Sequence, residues 1–486
     1  MLVAEPAFSH PGALEVPPLR RMLLLAHSYF LRADAKQLAR MKPYAPLATM
    51  LAGALLRERG HEVRVFDAML ASGVDAFRAE LAAYRPAVVG ILEDNFNFLT
   101  KMCTLRMRSA TLEMVAAARA HGARVVVNGS DSADHAPQYF DAGADAVIFG
   151  EAELTMLEIA DRLASSPTAS LEGVAGIATR DATGHVVRSP SRPALRELDC
   201  LPMPAWDMVD VDAYRDAWMG AHGRFSWNIV SSRGCPFGCN WCAKPVFGRR
   251  YSQRSPECVA EEMRRLKLEV RPDHLWFCDD IFGLTPQWIV RFAHAVNARN
   301  SRIPFMIQCR ADLITPDVAA ALTAAGAEEV WLGVESGSQR ILDAMDKDSS
   351  VEDVRRATRL LREQGVRACW FIQLGYPTET WDDLDATRTL VREEWPDDIG
   401  VSVAYPLPGT RFHEAVKEQL GARRNWEDTN ELAMLFQGTY TTGFYRQIRD
   451  QLHEEVRLRA PDDARWAASA AAADVHRSEM PSLVER

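Results

Sequence analysis

The sequence has no long apolar run and no excess of basic residues. Its 486 residues contain no apolar run of 18, about the length that a membrane-spanning helix needs. The N-terminus has no charged segment followed by an apolar one, so we expect no secretory signal and a cytoplasmic location. Lysine and arginine total 56 against 66 aspartates and glutamates, a net charge of −10. So acidic a chain has few cations to neutralise phosphates, so we expect neither a nucleic acid nor a membrane as partner.

Cysteine is scarce and odd in number, with nine in the chain. An odd, scattered set argues against a disulfide framework and favours a reducing compartment with mostly buried free thiols. Six of the cysteines are isolated: Cys103, Cys200, Cys258, Cys278, Cys309 and Cys369. The other three, Cys235, Cys239 and Cys242, fall within eight positions of one another. This short stretch is therefore the first candidate for chemistry.

The order of apolar runs predicts an α/β protein whose first domain is a doubly wound sheet. A chain of 486 residues is expected to form two or three domains. From about residue 21 to 165, apolar runs of strand length alternate with helical stretches: RMLLLAH, EVRVFDA, AVVGILE, ARVVVNG and DAVIFGE are the strands. Such alternation is typical of a Rossmann-like, doubly wound parallel sheet, which binds ligands at the carboxyl ends of its strands. Gly60, Gly122 and Gly143 are expected to end helices in the left-handed conformation.

A second alternating array begins near residue 225. Before it, residues 173–189 have the pattern of a hairpin, and proline-containing turns up to 205 have the pattern of a linker. The array has six strand-helix units, fewer than the eight of a full barrel. We therefore divide the chain into residues 1–170, a hairpin and linker 171–205, a partial (β/α)6 barrel 206–415 and a mostly helical C-terminal region 416–486.

The three clustered cysteines follow the first strand of this second array, with the spacing C-x3-C-x2-C. A structural zinc site would need a fourth ligand, such as Cys258, His222 or His274, and usually a second C-x2-C pair. Three cysteines without that pair fit an iron–sulfur cluster in which one iron stays open to a small molecule. Their place at the end of a barrel strand is where such folds carry their chemistry.

At this stretch the sequence resembles the radical S-adenosylmethionine (SAM) enzymes. Their signature, C-x3-C-x-aromatic-C, is met by Cys235, Cys239, Trp241 and Cys242. The resemblance implies a [4Fe-4S] cluster on the three cysteines, SAM on the open iron, and a 5′-deoxyadenosyl radical that removes a hydrogen atom from the substrate. It also implies an electron donor such as flavodoxin or ferredoxin. The family fold is a six-unit partial barrel, in agreement with the strand count.

Polar residues end the other strands of the predicted barrel. By the same resemblance, the residues that contact SAM are Trp241, Asp279, Asp280, Arg310, Glu335, Ser336, Gln373 and Gly375. Neighbours on a strand point to opposite sides, so only one of the two adjacent aspartates should face the site. Structural alternatives stay open: the aspartates could cap a strand end, Arg310 could pair with Asp312, and the glycine could form a turn. Tyr405 ends the sixth strand and is the candidate catalytic residue, although its ring could simply be packed.

The first domain resembles the cobalamin-binding subgroup of these enzymes. Residues 123–153 resemble its Gly-Gly…His-x-Ser…Asp-x-Val-x-x-Gly-Glu-Gly-Glu pattern, with Ala152 in place of a glycine and Asn128-Gly129 in place of a glycine pair. Residues 42–68 and 198–208 resemble it too, so the resemblance covers about residues 20–445. The cobalamin contacts that it implies are Asn128, Gly129, Gly150, Glu151 and Glu153, with Glu93, Asp94 and Asn95 as candidates to face cobalt. An ordinary polar loop is the alternative for these last three.

Two motifs are absent from the first domain. The Asp-x-His-x-x-Gly motif that supplies a cobalt-binding histidine in cobalamin mutases does not occur, so we expect no histidine ligand. The residues after the first strand, AHSYFLRAD, contain no Gly-x-Gly-x-x-Gly, so a dinucleotide is not expected.

The resemblance implies a cobalamin-dependent radical SAM enzyme, most commonly a methyltransferase for an unactivated carbon of a small-molecule natural product intermediate. Cyclisation, ring rearrangement and methyl transfer to phosphorus stay open. A radical methylthiotransferase would need three more cluster cysteines near the N-terminus, where residues 1–199 contain only Cys103. A non-catalytic corrinoid carrier would not need the strand-end residues of the barrel.

Overall fold

Two sheets organise the chain in the computed structural model. The structure describes residues 22–97, 100, 104–242, 246–421 and 425–477. Cys103 and the residues after 477 lie outside the described residues. In the described ranges, no helix is both long enough and apolar enough to cross a membrane. The predicted α/β class, with a doubly wound sheet and a partial barrel, is confirmed.

The first sheet has seven strands. They are β1 Leu23–Ala26, β2 Val63–Phe66, β3 Val88–Leu92, β4 Arg124–Asn128, β5 Ala146–Ile148, β6 Ile177–Arg180 and β7 Val186–Arg188. Their order in space is β2-β1-β3-β4-β5-β6-β7, and the first five are parallel. The predicted hairpin is β6 and β7, and it pairs antiparallel with β5, so it extends this sheet. The strand order reverses at β1 and β3, the point where doubly wound sheets bind ligands.

Helices cover both faces of this sheet. They are α1 Ala35–Arg40, α2 Leu47–Glu58, α3 Val74–Tyr84, α4 Leu105–Ala120, α5 Ser130–Asp134, α6 Ala136–Ala142 and α7 Glu153–Ser165. Gly60, Gly122 and Gly143 have φ of 85°, 82° and 113°, as predicted for helix ends. Residues 130–142 form two short helices that meet at His135. Pro137 explains the break, because proline is favoured in the first turn of a helix.

The second sheet is the partial barrel, with six parallel strands in the order β15-β14-β13-β12-β11-β8. The strands are β8 Ser226–Ile229, β11 His274–Phe277, β12 Phe305–Cys309, β13 Ala327–Glu335, β14 Arg367–Leu374 and β15 Asp398–Val403. Two short strands, β9 Ser232–Arg233 and β10 Ser252–Gln253, form a separate antiparallel ribbon after β8. The six strand-helix units that the sequence predicts are therefore present.

The helices of this half are α8 Val211–His222, α9 Pro256–Glu269, α10 Pro286–Ala298, α11 Pro316–Ala325, α12 Gln339–Ala344, α13 Val351–Glu363, α14 Trp381–Glu394 and α15 Arg411–Val416. Two more, α16 Thr442–Leu458 and α17 Asp463–Ala472, form the helical C-terminal region. Helices α9, α10 and α11 each begin at a proline, whose fixed φ and missing N–H suit that position.

Helix α8 was not predicted from the sequence, and it packs between the two halves. Asp210 caps its N-terminus. Tyr214 and Trp218, four residues apart, are buried on one face. The Tyr214 hydroxyl donates to Asp67 Oδ2 at 2.7 Å, and Trp218 Nε1 donates to the Pro43 carbonyl at 2.8 Å. An aspartate cap followed by two aromatic residues at helical spacing was the available signal.

Candidate active site between the two sheets

The cysteine loop, residues 234–251, begins and ends at the β9–β10 ribbon. Arg233 pairs with Ser252 across that ribbon, so the two ends of the loop are held side by side. Gly234 has a φ of 76°, and a Cβ atom there would lie 2.1 Å from the Arg250 carbonyl oxygen. Only glycine can occupy this turn. The three signature cysteines on the loop form no disulfide and are half-buried.

Asn240, which no sequence motif indicated, fastens this loop to the barrel. Its Nδ2 donates to the Ala344 carbonyl at 2.7 Å and to Asp346 Oδ2 at 2.9 Å. Its Oδ1 accepts from the Tyr376 hydroxyl at 2.8 Å. Its backbone N–H donates to the Met345 carbonyl at 3.0 Å. The segment between the second and third cysteines is thereby fixed to the end of α12 and to the loop after β14.

The donor set differs from that of a zinc site. In the part of the chain that the structure describes, no three His, Cys, Asp or Glu side chains are placed to hold a single metal ion. The candidates for a fourth zinc ligand have other partners: Cys258 Sγ bonds to Arg254, His222 Nε2 to the Met41 carbonyl and His274 Nδ1 to the Ser226 hydroxyl. Thiolates that each bind a different iron of a four-iron cluster need not converge on one point. Three half-buried thiols on one pinned loop fit that group.

Asp279 holds the start of the cysteine loop from the end of β11. It is buried, and its Oδ1 accepts from the Ser231 N–H at 3.0 Å and the Ser231 hydroxyl at 2.9 Å. Burial raises the pKa of Asp279 to about 6, against the effect of these hydrogen bonds. Its neighbour Asp280 is half-buried. Asp279 thus binds the segment that leads into the cysteine loop. We expect Asp280 to be the aspartate nearer a ligand.

Arg310, at the end of β12, lies beside the second cysteine. Its Nη1 is 4.0 Å from Cys239 Sγ, and its guanidinium lies 3.9 Å from the centre of the Phe237 ring. Its Nε donates to Asp312 Oδ1 at 2.8 Å, the pairing weighed in the sequence. Only 5% of Arg310 is exposed. A buried cation therefore lies beside one of the three candidate cluster ligands.

Lys347 is a second buried cation near the same cysteine, and no sequence motif indicated it. Its Nζ donates to Glu335 Oε1 at 2.6 Å, and both residues are 5% exposed. Burial acts to lower the pKa of Lys347, but the charges of Glu335 and Cys239 raise it above its ordinary value. A Cβ atom at Gly333 would lie 2.8 Å from Nζ, so this glycine leaves room for the pair. Glu335 itself has a φ of 64°, a strained backbone of the kind found at ligand sites.

The sheet of the partial barrel has an outer side covered by helices and an inner, concave face. The odd-numbered residues of β14 lie on the concave face. Trp370 Nε1 donates to the Thr358 hydroxyl of α13 at 3.1 Å, so Trp370 faces the helices. Phe371 and Gln373 therefore face the opposite side. Gln373 Oε1 and Trp241 Nε1 are buried and have no hydrogen-bond partner within the described ranges. Such atoms cost free energy that a bound ligand can recover, so the face fits a polar cofactor such as SAM.

Aromatic rings line the middle of this concave face. Trp331 stacks on Phe371, with the ring centres 4.8 Å apart. Tyr44 of the first domain meets Trp276 edge-on at 6.4 Å. The first domain thus reaches the concave face beside β11. No sequence motif indicated these rings, which offer contact area to an apolar or aromatic small molecule.

Ser336 and Gly375 are held by contacts within the chain. The Ser336 hydroxyl lies 3.2 Å from that of Thr387 and accepts from the Ser338 N–H at 3.1 Å. Gly375 has a φ of 78°, and its N–H donates to Glu379 Oε2 at 2.6 Å. Both residues flank the concave face at the carboxyl ends of β13 and β14, where their predicted contacts with SAM stay predictions.

Replacing Glu379 by Gln should remove a pH dependence of stability. Glu379 has no exposed surface, and burial raises its pKa from 4.5 to about 8. The folded state therefore holds a proton that the unfolded state releases, so stability falls as the pH rises from about 4.5 through about 8. Glutamine mimics the protonated form. We expect the free energy of unfolding in urea, measured across this pH window, to fall for wild type relative to the variant by up to about 1.4 kcal/mol per pH unit.

Glu418→Gln, at an exposed position, is the control for the loss of one acidic group. It should leave the pH dependence of the unfolding free energy unchanged. If Glu379→Gln and wild type gave parallel profiles, Glu379 would be ionised in the fold and our reading of its burial would be wrong.

Tyr405 lies at the end of β15 against the segment that follows the barrel. Its ring centre is 4.5 Å from that of Trp426. Its hydroxyl accepts from Asn425 Nδ2 at 3.3 Å and from the Trp426 N–H at 3.4 Å. These contacts give the residue a packing role. Its predicted catalytic role stays a prediction.

We expect Tyr405→Phe to lose about 1 kcal/mol of stability, because two hydrogen bonds to one hydroxyl are removed. If the role is packing alone, the rate of SAM cleavage should change little. The measurement is 5′-deoxyadenosine formed under dithionite, beside the urea midpoint. Loss of cleavage with an unchanged midpoint would instead give the hydroxyl a chemical role.

The residues predicted to contact cobalamin lie together at the carboxyl edge of the first sheet. Asn95 Nδ2 donates to Asn128 Oδ1 at 3.0 Å, and Asn128 Nδ2 donates to the Gly150 carbonyl at 3.1 Å. This chain of bonds joins the ends of β3, β4 and β5. Glu93 is buried, accepts from the Ser28 hydroxyl at 2.6 Å, and has its pKa raised by burial.

The backbone at this edge is open to a ligand at Gly150. Gly150 has a φ of 86°, and no atom lies within 4 Å of its Cβ position, so the backbone there is open. A Cβ atom at Gly129 would lie 2.8 Å from Glu93 Cγ, so glycine keeps this loop close to β3. Asp94 Oδ1 accepts from the Ala48 N–H at 3.3 Å. The side chains of Glu151 and Glu153, in contrast, point to Arg233 of the barrel.

The two candidate cofactor loops touch. Phe96, next to the candidate cobalt-facing residues, stacks on Phe247 of the cysteine loop with ring centres 5.1 Å apart. A second contact joins the two domains at β8. Asn228 Oδ1 accepts from the Ala45 N–H at 2.8 Å, and Asn228 Nδ2 donates to the Ala45 carbonyl at 2.7 Å. The carboxyl ends of both sheets therefore meet at one place.

Several known proteins are similar to this chain in sequence. Residues 229–391 match the model of the Radical SAM superfamily. An uncharacterized methyltransferase of Pyrococcus horikoshii is 31% identical over 284 residues, covering 58% of this chain and 60% of that protein. The anaerobic magnesium-protoporphyrin IX monomethyl ester cyclase of Rubrivivax gelatinosus is 27% identical, covering 54% and 47%. The hopanoid C-3 methylase of Methylococcus capsulatus is 26% identical, covering 78% and 70%. The matches thus span 60% and 47% of the first two relatives.

Two solved structures have the same fold. The radical SAM methyltransferase TsrM of Kitasatospora setae, with cobalamin and a [4Fe-4S] cluster bound, superposes with a TM-score of 0.65 at 22% identity, covering 83% of this chain and 79% of TsrM. The cobalamin-dependent radical SAM enzyme OxsB, with aqua-cobalamin and SAM bound, gives 0.63 at 16% identity, covering 96% and 57%. At such identities the likeness shows the fold.

Proposed function

We propose that this chain, a member of the radical SAM superfamily with the fold of its cobalamin-dependent enzymes, methylates a carbon atom of a small molecule. The observation that carries the proposal is the contact between the two candidate cofactor loops, Phe96 on Phe247 at 5.1 Å. A methyl group held at the first sheet could reach only a substrate bound at that junction. When bound, the cluster, SAM and cobalamin would supply the electron, the radical and the methyl group.

In this proposal, residues of the barrel bind the cluster and SAM and supply positive charge beside them. Cys235, Cys239 and Cys242 would hold the cluster. Arg310 and Lys347, both buried beside Cys239, place positive charge where an anionic cluster and a carboxylate of SAM would lie. The unpaired Gln373 Oε1 and Trp241 Nε1 are available to polar groups of the same ligand.

The first-domain residues supply a closed wall opposite the cluster. Cobalamin would lie over the Asn95–Asn128–Gly150 chain, without a histidine ligand to cobalt. Tyr44, which touches Trp276, closes the junction from the side of β11. Water and oxygen would be excluded there, as a carbon radical requires.

The lining of the concave face supports a substrate with an apolar or aromatic part. Trp331 and Phe371 are stacked and half-exposed. Stacked rings favour a substrate with an apolar or aromatic part. TsrM has been solved with tryptophan as its substrate, a molecule of this kind. A natural product intermediate of similar size fits the proposal.

A second candidate is a cyclisation without methyl transfer. It rests on the likeness to the Rubrivivax cyclase. Ring rearrangement and methyl transfer to phosphorus also stay open, since the residues that hold the cofactors do not select among these reactions.

An electron donor such as flavodoxin or ferredoxin is part of the proposal. Arg249 and Arg250 of the cysteine loop and Arg411 of α15 are exposed, and Arg411 Nη2 donates to the Gly238 carbonyl at 3.0 Å. These arginines place positive charge beside the cysteines on a chain of net charge −10. An acidic small redox protein would be attracted there. We place the enzyme in the cytoplasm, where such donors and reduced thiols occur together.

SAM with a deuterated methyl group tests the methylation. Purified enzyme, dithionite and this SAM would be incubated with a small-molecule extract of the producing cells. We expect a product heavier than its precursor by one deuterated methyl group, together with 5′-deoxyadenosine and S-adenosylhomocysteine. If 5′-deoxyadenosine forms with a new product that carries no label, the enzyme is a cyclase or a rearranging enzyme, and the methylation proposal fails.

A further inference from the structure

Arg233 is buried at the base of the cysteine loop and is bound by the other domain. It lies on β9, two residues before the first cysteine, and is 4% exposed. Its Nη2 donates to Glu153 Oε1 at 2.6 Å and its Nη1 to Glu153 Oε2 at 3.3 Å. Nη1 also lies 3.4 Å from Glu151 Oε2. The arginine belongs to the barrel. Glu151 lies in the loop that follows β5 of the first sheet, and Glu153 is the first residue of α7.

The same guanidinium touches the rings that join the two cofactor loops. Its carbon atom is 5.4 Å from the centre of the Phe96 ring and 5.5 Å from that of Phe247. Phe96 comes from the loop after β3, and Phe247 comes from the far end of the cysteine loop. Arg233, which directly precedes the cysteine loop, therefore contacts Phe247 near the far end of that loop and two segments at the edge of the first sheet.

The linker between the domains is tied to this cluster as well. Glu151 Oε2 accepts from the Leu195 N–H at 3.0 Å. Burial raises the pKa of Glu151, while the charge of Arg233 acts to lower it. Glu153 is 4% exposed, so its pairing with Arg233 is shielded from water and from salt.

A buried ion pair is weak grounds for a role in stability. Apolar residues of similar volume often replace such a pair at no cost, because taking two charges out of water offsets their attraction. What apolar residues cannot reproduce is geometry. A guanidinium that makes two parallel bonds to one carboxylate fixes both distance and angle.

We infer that Arg233 is a positioning residue, which sets the distance and angle between the cluster site and the cobalamin site through Glu153. The inference rests on the proposed function, since it concerns the spacing of the two cofactors. It also assigns the Glu151 and Glu153 side chains to the contact between domains rather than to cobalamin.

The test compares holoenzyme carrying Arg233→Met, Arg233→Lys and the double change Arg233→Met with Glu153→Met. Iron and corrinoid content, the urea midpoint, and the electron paramagnetic resonance signal of cob(II)alamin next to the reduced cluster would be measured. The reduced cluster broadens the lines of the cob(II)alamin signal, and the extent of this broadening depends on the distance between the two centres. We expect Arg233→Met to lower the midpoint and to lose the broadening while both cofactors stay bound. The double variant should regain the midpoint but not the broadening.

Recovery of both the midpoint and the broadening in the double variant would overturn the inference, because Arg233 would then serve stability alone. Arg233→Lys keeps the charge and loses the two parallel bonds, so it should fold and still lose broadening. Wild-type broadening in the lysine variant would equally overturn the role. A wild-type enzyme that holds a cluster but no corrinoid would contradict the proposed function itself, so the two failures are distinguishable.

Discussion

Cys239→Ala is expected to remove the iron from the protein and leave corrinoid in place. Anaerobically purified wild type should carry about four irons per chain, and the variant a small fraction of that, because the cluster depends on all three thiolates. Cleavage of SAM to 5′-deoxyadenosine should fall below detection. Corrinoid should stay at the wild-type level, since the edge of the first sheet that would hold it contains no cluster cysteine.

The matched control is Cys200→Ala, which removes an exposed thiol in the linker. It should keep iron, corrinoid and SAM cleavage. A Cys239→Ala variant that lost corrinoid together with iron would contradict the division of labour between the two domains, because the two sites would then form only as one.

Lys347→Met is expected to destabilise the protein by about 3–5 kcal/mol, because it leaves the Glu335 carboxylate buried without its partner. Lys347 and Glu335 are each 5% exposed and lie 2.6 Å apart at the strained end of β13. The urea midpoint of cluster-free protein measures the loss directly. In holoenzyme, SAM binding should weaken as well, since one of the two buried cations near Cys239 is gone.

Two further variants serve as comparisons for Lys347→Met. Lys417→Met breaks an exposed pair with Glu414 on the surface and should change the midpoint little. Adding Glu335→Gln to Lys347→Met should recover part of the stability, because glutamine carries no charge to bury. A Lys347→Met midpoint equal to that of Lys417→Met would show that the buried pair is not formed.

The fold was predictable because its signals are local. Apolar runs such as AVVGILE and CWFIQLG became strands, and Gly60, Gly122 and Gly143 took the left-handed conformations that helix ends require. The cysteine spacing is local too. Helix α8 was missed because it lies outside the strand-helix alternation and joins the domains through Tyr214 and Trp218.

The partners within the site were not predictable, because they come from distant parts of the chain. Arg233 and Glu153 are 80 positions apart, and Asn240 and Ala344 are 104 apart. No short motif encodes either contact. The motif around Gly150 drew attention to residues 150–153, but only the fold shows that Glu151 and Glu153 face an arginine of the barrel. Lys347 follows a short helix in an unremarkable polar stretch, and its burial depends on Gly333 across the site.

The iron, sulfide and corrinoid content of protein purified without oxygen, from cells supplied with cobalamin, shows whether the chain carries both cofactors. We expect about four irons, about four sulfides and about one corrinoid per chain, the content of one four-iron cluster and one cobalamin. A cluster without corrinoid would contradict this expectation. The first sheet would then serve the substrate, and methyl transfer from cobalamin would have no place in the reaction.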